Sequence, residues 1–277
     1  MRFCKYHGLG NDYLVLTDMP ALPPEQIRRI CDRHRGVGSD GILLPQTAVT
    51  PRHFPVRIFN PDGSEAEKSG NGLRIFARWL FDEGLVSEEP FIIETAVGPV
   101  EAQVLTNGRT VRVTLGQVSF HSDDIPVNGW SREVINEKLE ASGRLFTFSA
   151  ATIGNPHCVI FADDLSPKLA QTYGPFIERD GRFPHRTNVQ FAQVMDAHNL
   201  KIEIWERGAG YTLASGSSSC AAAAVAHKLG LCAADITIHM PGGQLAIAIA
   251  PEFTVTMTGA VTAVCRGVVS NEAFESQ

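Results

Sequence analysis

The chain repeats itself at about half its length, and that period limits the architectures open to it. Gly10-Asn11-Asp-Tyr-Leu-Val15 is echoed by Gly154-Asn155-Pro-His-Cys-Val159, Ser69-Gly70 by Ser215-Gly216, and Thr110-Val-Arg-Val-Thr-Leu-Gly116 by Thr254-Val-Thr-Met-Thr-Gly259. Asn11 precedes Ser69 by 58 positions and Asn155 precedes Ser215 by 60, and a glycine follows each serine 15 positions later, at Gly84 and Gly230. Loose echoes of glycines and alternating strands arise in any long chain; four markers kept in one order are far harder to obtain by chance. Solenoid repeats are much shorter, so two similar domains are expected.

Each serine also opens a helix. After Ser69, residues Leu73, Phe76, Ala77, Leu80 and Phe81 recur at the spacing of a helix that buries one face. After Ser215, the run Cys220–Leu229 is so rich in alanine that nearly every side can be buried, as in a helix at the centre of a sheet. Gly84 and Gly230 read as the residues that end these helices. Two more helices are expected at about Pro24–Arg33 and Ser166–Arg179. Short alternating strands are expected at Val56–Phe59, Phe91–Glu94, Val100–Val104, Val111–Leu115, Leu200–Trp205, Ile236–Met240, Leu245–Ile249 and Thr254–Thr258. The pattern is α+β: two pseudo-symmetric domains, each a curled, mostly antiparallel sheet around a central helix. Their expected bounds are 1–117, with the tail 265–277 returning to that first domain, and 118–264.

At 277 residues, 44% hydrophobic and 19% charged, the chain can build two proper cores. A net charge of −6 and the lack of a Lys/Arg-rich run argue against nucleic acid or an anionic membrane as the main partner, and favour a small molecule. The polar start Met1-Arg-Phe-Cys-Lys-Tyr-His-Gly8 has no signal-peptide core, and no apolar run approaches 18 residues, so a cytoplasmic protein is expected. The six cysteines show no Cys-x-x-Cys spacing. In a reducing compartment they are expected as free thiols, with no metal site. A homodimer is the default expectation for the assembly.

The two Ser-Gly steps carry the first hint of chemistry. A helix N-terminus presents backbone N–H groups and the positive end of the macrodipole, so Ser69-Gly70-Asn71 and Ser215-Gly216-Ser217 can each hold an anion such as a carboxylate. Taken singly, the neighbouring polar residues have plainer roles. Asn11 reads as a turn residue, Glu206-Arg207 as a solvated surface pair, and His157 as an ordinary hydrogen-bonded histidine.

Together, however, the motifs point further. Gly8-Leu-Gly-Asn-Asp-Tyr13, Gly36-Val-Gly-Ser-Asp-Gly41, Asn60-x-Asp-Gly-Ser-Glu-Ala-Glu67, Ser69-Gly-Asn-Gly72, Gly154-Asn-Pro-His157, Arg186-Thr-Asn-Val189 and Glu206-Arg-Gly-Ala-Gly210 resemble those of diaminopimelate epimerases, which use no pyridoxal phosphate, across nearly the whole chain. The resemblance implies a cofactor-independent amino-acid epimerase of lysine biosynthesis that takes LL-diaminopimelate to the meso form. It implies two domains closing on a zwitterion, with one acid/base group on each face of Cα. By it, Asn11, Asn60, Asn155, Asn188, Glu206 and Arg207 bind substrate, Arg207 through a carboxylate and Glu206 through an ammonium. Gly70, Asn71, Gly216 and Ser217 supply N–H groups to the reacting carboxylate, and His157 stands behind the site.

One departure bears directly on the chemistry. The family's two acid/base residues are cysteines, and the matching positions here are Ser69 and Ser215. A cysteine at a helix N-terminus can lower its pKa to roughly 3.5–7.5; a serine needs an adjacent base, and none is expected from the matched motifs. An engineered pair, a natural paralogue and a protein that binds without turnover all fit two serines. Gly216-Ser-Ser-Ser-Cys220 and Tyr211, where the family tends to carry Gly-Thr-Gly and Glu, favour the paralogue. A racemase or lyase acting on another amino acid is the alternative within enzymes. Of the cysteines nearby, Cys220 would point about 140° away from Ser215 on a helix, and Cys158 is the better substitute base.

Overall fold

The computed structural model describes residues 1–19, 21–48 and 50–274. The chain divides into two compact units, Met1–Thr114 with Thr258–Gln277, and Leu115–Met257. The return to the first unit begins at Thr258, earlier in the chain than the 265 expected, and the last three residues of the expected tail lie outside the described residues.

The first unit runs β1 (Arg2–Gly8), β2 (Asn11–Leu16), α1 (Pro24–Cys31), β3 (Ile42–Pro45), β4 (His53–Phe59), β5 (Glu65–Ala66), α2 (Gly70–Asp82), β6 (Phe91–Thr95), β7 (Gly98–Leu105) and β8 (Thr110–Gln117). Strand β1 is antiparallel to β2, β2 parallel to β3, β3 antiparallel to β4, β4 parallel to β6, and β6 antiparallel to β7. The second unit contains β9 (Glu137–Ala141), β10 (Arg144–Thr152), β11 (Pro156–Phe161), α3 (Pro167–Glu178), β12 (Asn188–Asp196), β13 (Asn199–Glu206), β14 (Gly210–Thr212), α4 (Gly216–Lys228), β15 (Asp235–Met240), β16 (Gly243–Ile249) and the start of β17 (Thr254–Ala260). From β10 the same alternation recurs: antiparallel to β11, parallel to β12, antiparallel to β13, parallel to β15, antiparallel to β16. Each parallel pair needs a long crossover, and a helix supplies it: α1 and α2 in one unit, α3 and α4 in the other. The sequence repeat is thus a repeat of topology. A final strand, β18 (Thr262–Val268), pairs with β1 on the side away from β2.

The equivalent helices α2 and α4 end in the same way. Gly84 and Gly230 both have φ of +70°. The N–H of Gly84 bonds Phe81 O and that of Leu85 bonds Leu80 O, while Gly230 bonds His227 O and Leu231 bonds Ala226 O. Both are Schellman caps, which call for the left-handed conformation that glycine adopts without strain. Helix α4 is buried from Cys220 to Ala226, as its alanines require, and strands β10–β13, β15 and β16 pack around it. Helix α2 is buried on more sides than its apolar stripe announced. Besides Leu73, Phe76, Ala77 and Leu80 it buries Asn71, Arg74, Ile75 and Trp79, whereas Phe81 is only half-buried.

Candidate active site

In the first unit the site residues collect where β2 meets the start of α2. Ser69 is the N-cap of α2, with extended φ and ψ, and its Oγ accepts the Gly72 N–H at 3.1 Å. The Leu73 N–H turns back to Ser69 O, so Gly70 and Asn71 are left with N–H groups that have no acceptor within the helix. Asn71 Nδ2 donates to Asn11 Oδ1 at 3.0 Å, and Asn11 Nδ2 donates to Asp40 Oδ2 at 2.9 Å. Asn71 Oδ1 in turn accepts from the fully buried Arg74 at 2.8 Å. Asn11 is therefore held at both ends of its amide rather than serving only to shape a turn.

Behind it, Asp12 is bound by Lys5 at 2.9 Å and by Arg33 at 2.7 Å, and Arg33 also reaches Asp40 at 2.6 Å. Burial alone would raise the Asp12 carboxyl; the bonds from Arg33 and Lys5 overcome this and hold it down to about 2. Asn60 closes the turn that follows β4. Its side chain donates to Ser64 Oγ at 3.0 Å, within the turn that leads into β5.

In the second unit the start of α4 is arranged differently. Ser215 is an extended N-cap whose side chain makes no capping bond; instead its Oγ donates to Glu206 Oε2 at 3.2 Å. Gly216, Ser217 and Ser218 accordingly keep N–H groups without an acceptor in the helix. Asn155 Nδ2 donates to Ser217 Oγ at 3.4 Å, and its Oδ1 accepts from His157 Nε2 at 2.9 Å. His157 is fully buried, and burial pushes its pKa down to about 3, so the ring is neutral. Asn188 joins two segments: its Nδ2 donates to Pro156 O and its Oδ1 accepts the Arg207 N–H at 2.9 Å. The Arg207 guanidinium is exposed and bonds His185 O.

The expectation that no base adjoins the serines is corrected at Ser215 by this geometry. The Glu206 carboxylate stands beside Ser215, and the Tyr13 phenol lies 3.0 Å from Ser69 Oγ. Both belong to motifs already singled out, but the 56 positions between Tyr13 and Ser69 hide their contact from a local reading. Glu206 is likewise no merely solvated partner of Arg207, being half-buried and bonded to Ser215. Sequence reasoning also missed Glu178, at the end of α3. It is buried, and its carboxylate accepts from Trp205 Nε1 at 2.8 Å and from the Gly208 N–H at 3.2 Å, which ties down the loop bearing Glu206 and Arg207. A lone glutamate in a helix gives no sequence signal of that kind.

The sequence profile of the diaminopimelate epimerases matches residues 3–121 and 149–264. The chain belongs to the diaminopimelate epimerase family. A relative described as diaminopimelate epimerase 2, from Nostoc sp., is 58% identical over 277 residues, covering 99% of this chain and 97% of the relative. The diaminopimelate epimerase of Moorella thermoacetica is 39% identical, over 96% of this chain and 98% of its own. Among solved structures, a probable proline racemase from Agrobacterium radiobacter K84 superposes with a TM-score of 0.72 at 15% identity, over 99% of this chain and 94% of the other, and shares the fold.

Within this diaminopimelate epimerase family member, Cys158 is no substitute base. It is fully buried in β11, and burial raises its thiol well above the ordinary range. Cys220 is equally buried. Among the described residues, no group of three or more His, Cys, Asp or Glu side chains is placed to hold a metal ion, and no helix is long and apolar enough to cross a membrane.

Proposed function

We propose that the chain is a cofactor-independent epimerase that inverts the α-carbon of an amino acid, converting LL-diaminopimelate to the meso form. The observation that carries this reading is the pair of serine-opened helix N-termini, one per unit, each with N–H groups left for a carboxylate. Hydrogen bonds to that carboxylate stabilise the charge that develops on Cα as its proton leaves. In this reading Asn11, Asn60, Asn155, Asn188 and Arg207 hold the substrate's polar groups. Ser69 and Ser215 exchange protons with Cα, Ser215 passing the proton it takes to Glu206. His157, neutral and bonded to Asn155, keeps that amide in one orientation.

The test is incubation with LL-diaminopimelate in D2O, following deuterium incorporation at Cα and formation of the meso isomer. A panel of other amino acids, proline included, runs alongside. Incorporation with diaminopimelate supports the reading; incorporation only with another member of the panel makes the chain a racemase of that amino acid. The serines favour one rival: a protein that binds its amino acid without turnover. Heat of binding with no deuterium incorporation would establish it.

A further inference from the structure

The two serines are hydrogen-bonded in opposite senses. Ser215 Oγ donates its proton to Glu206, which leaves its lone pairs open to accept another. Ser69 Oγ instead accepts the Gly72 N–H at 3.1 Å and lies 3.0 Å from Tyr13 Oη. With the phenol as donor, both lone pairs of Ser69 Oγ are engaged and its own O–H is free to point at a substrate. The Tyr13 ring is held for this contact. It is 7% exposed, on a strand packed against α2. Gly41 lies so close that a Cβ there would come within 2.5 Å of Tyr13 Cε1 and 2.6 Å of Phe59 O. Any side chain at position 41 would displace the ring.

We propose that Tyr13 is a positioning residue that relays a proton to Ser69 and so makes Ser69 the proton-donating face of the reaction. The proposal rests on the epimerase reading above. The step balances as follows. The Cα–H bond breaks on the Ser215 side, its electron pair stays on Cα, and the proton goes to Ser215 Oγ as the serine's own proton passes to Glu206 Oε2. On the other face the pair on Cα takes the Ser69 hydroxyl proton, and the Tyr13 Oη proton moves onto Ser69 Oγ. Glu206 ends neutral and Tyr13 as phenolate, and solvent water restores both. The relay matters because a phenol, with an ordinary pKa of about 10, gives up a proton far more readily than an aliphatic hydroxyl of water-like acidity.

Tyr13→Phe removes the hydroxyl and keeps the ring. Proton abstraction beside Ser215 should continue while delivery from Ser69 fails. Epimerisation of diaminopimelate should then fall by about 10²–10⁴-fold, while solvent exchange at Cα of the starting isomer falls far less. Equal loss of both rates would overturn the relay. A second measurement does not depend on turnover. In a Cys265→Ser background, which removes the exposed thiol, Ser69→Cys places a thiol where the phenol should stabilise its anion. Adding Tyr13→Phe should slow alkylation by iodoacetamide at pH 7 by about tenfold or more, through a higher thiol pKa. Unchanged alkylation would show that Tyr13 does not donate to position 69. Absence of all exchange in the unmodified protein, with alkylation still dependent on Tyr13, would sink the epimerase reading and leave the Tyr13 donor in place.

Discussion

A fully buried histidine that stays neutral makes the protein sensitive to mild acid. The unfolded chain protonates His157 below about 6.5, whereas the folded chain resists until about 3. Through that window the unfolded state binds more protons, so stability is complete above about 6.5 and is lost as pH falls. At about 1.4 kcal/mol per pH unit the loss attributable to His157 reaches about 3 kcal/mol at pH 4. Thermal melts of the protein and of His157→Gln between pH 7 and 4 should show a shallower fall in the variant; parallel curves would place the acid sensitivity elsewhere. Asp12 adds a second loss at lower pH. Its depressed carboxyl stabilises the fold above about 4, and that contribution disappears as pH falls towards about 2. At the site, Arg207→Ala should weaken diaminopimelate binding roughly ten- to hundredfold by calorimetry, the loss of about 1.5–3 kcal/mol expected for a charge-assisted bond. An unchanged affinity would remove Arg207 from the carboxylate role.

The helix ends show which features a sequence discloses and which it hides. Gly84 and Gly230 are legible as terminators because only a left-handed residue closes a Schellman cap, and the structure has both at φ +70°. Nothing lies within 4 Å of a Cβ built on either glycine, so Gly84→Ala and Gly230→Ala should each cost about 1 kcal/mol from backbone conformation alone. Melts should register two small, similar shifts. The helix starts look alike in sequence and differ in space. Ser69 caps α2 through its side chain and Ser215 does not cap α4, so Ser69→Ala should cost about 0.5–2 kcal/mol of stability while Ser215→Ala costs no capping bond. Denaturant unfolding separates the two outcomes. Strands with one wet face, such as β7 and β16, announce themselves by alternation, with buried and exposed residues following each other along the strand. Strands β2, β11 and β12 are buried on both faces over most of their length, so no alternation marks them, although two begin at or beside the asparagines of the repeat. The Tyr13–Ser69 and Ser215–Glu206 bonds were unreadable for another reason, since only the folded sheet brings those side chains together.

For the molecule as a whole, the repeat in sequence became a repeat in topology, strand for strand from β1 and from β10. Strand β18 lies along β1 from Arg2 opposite Val268 to His7 opposite Thr262, as β9 lies along β10 in the other unit. Removing residues 262–277 would turn β1 into an open edge, with unpaired backbone groups that invite other strands. The truncated protein should lose hydrogen-exchange protection in β1 and β2 while β10–β13 keep theirs, and it should aggregate more readily on warming. Full protection in β1 would show that β18 is dispensable. The same strand sets a timetable for biosynthesis. The ribosome makes β1 before all of Leu115–Met257 and its outer neighbour β18 only after it, whereas Leu115–Met257 emerges as one uninterrupted stretch. The half of the protein that is begun first is therefore the half that must wait longest to be finished.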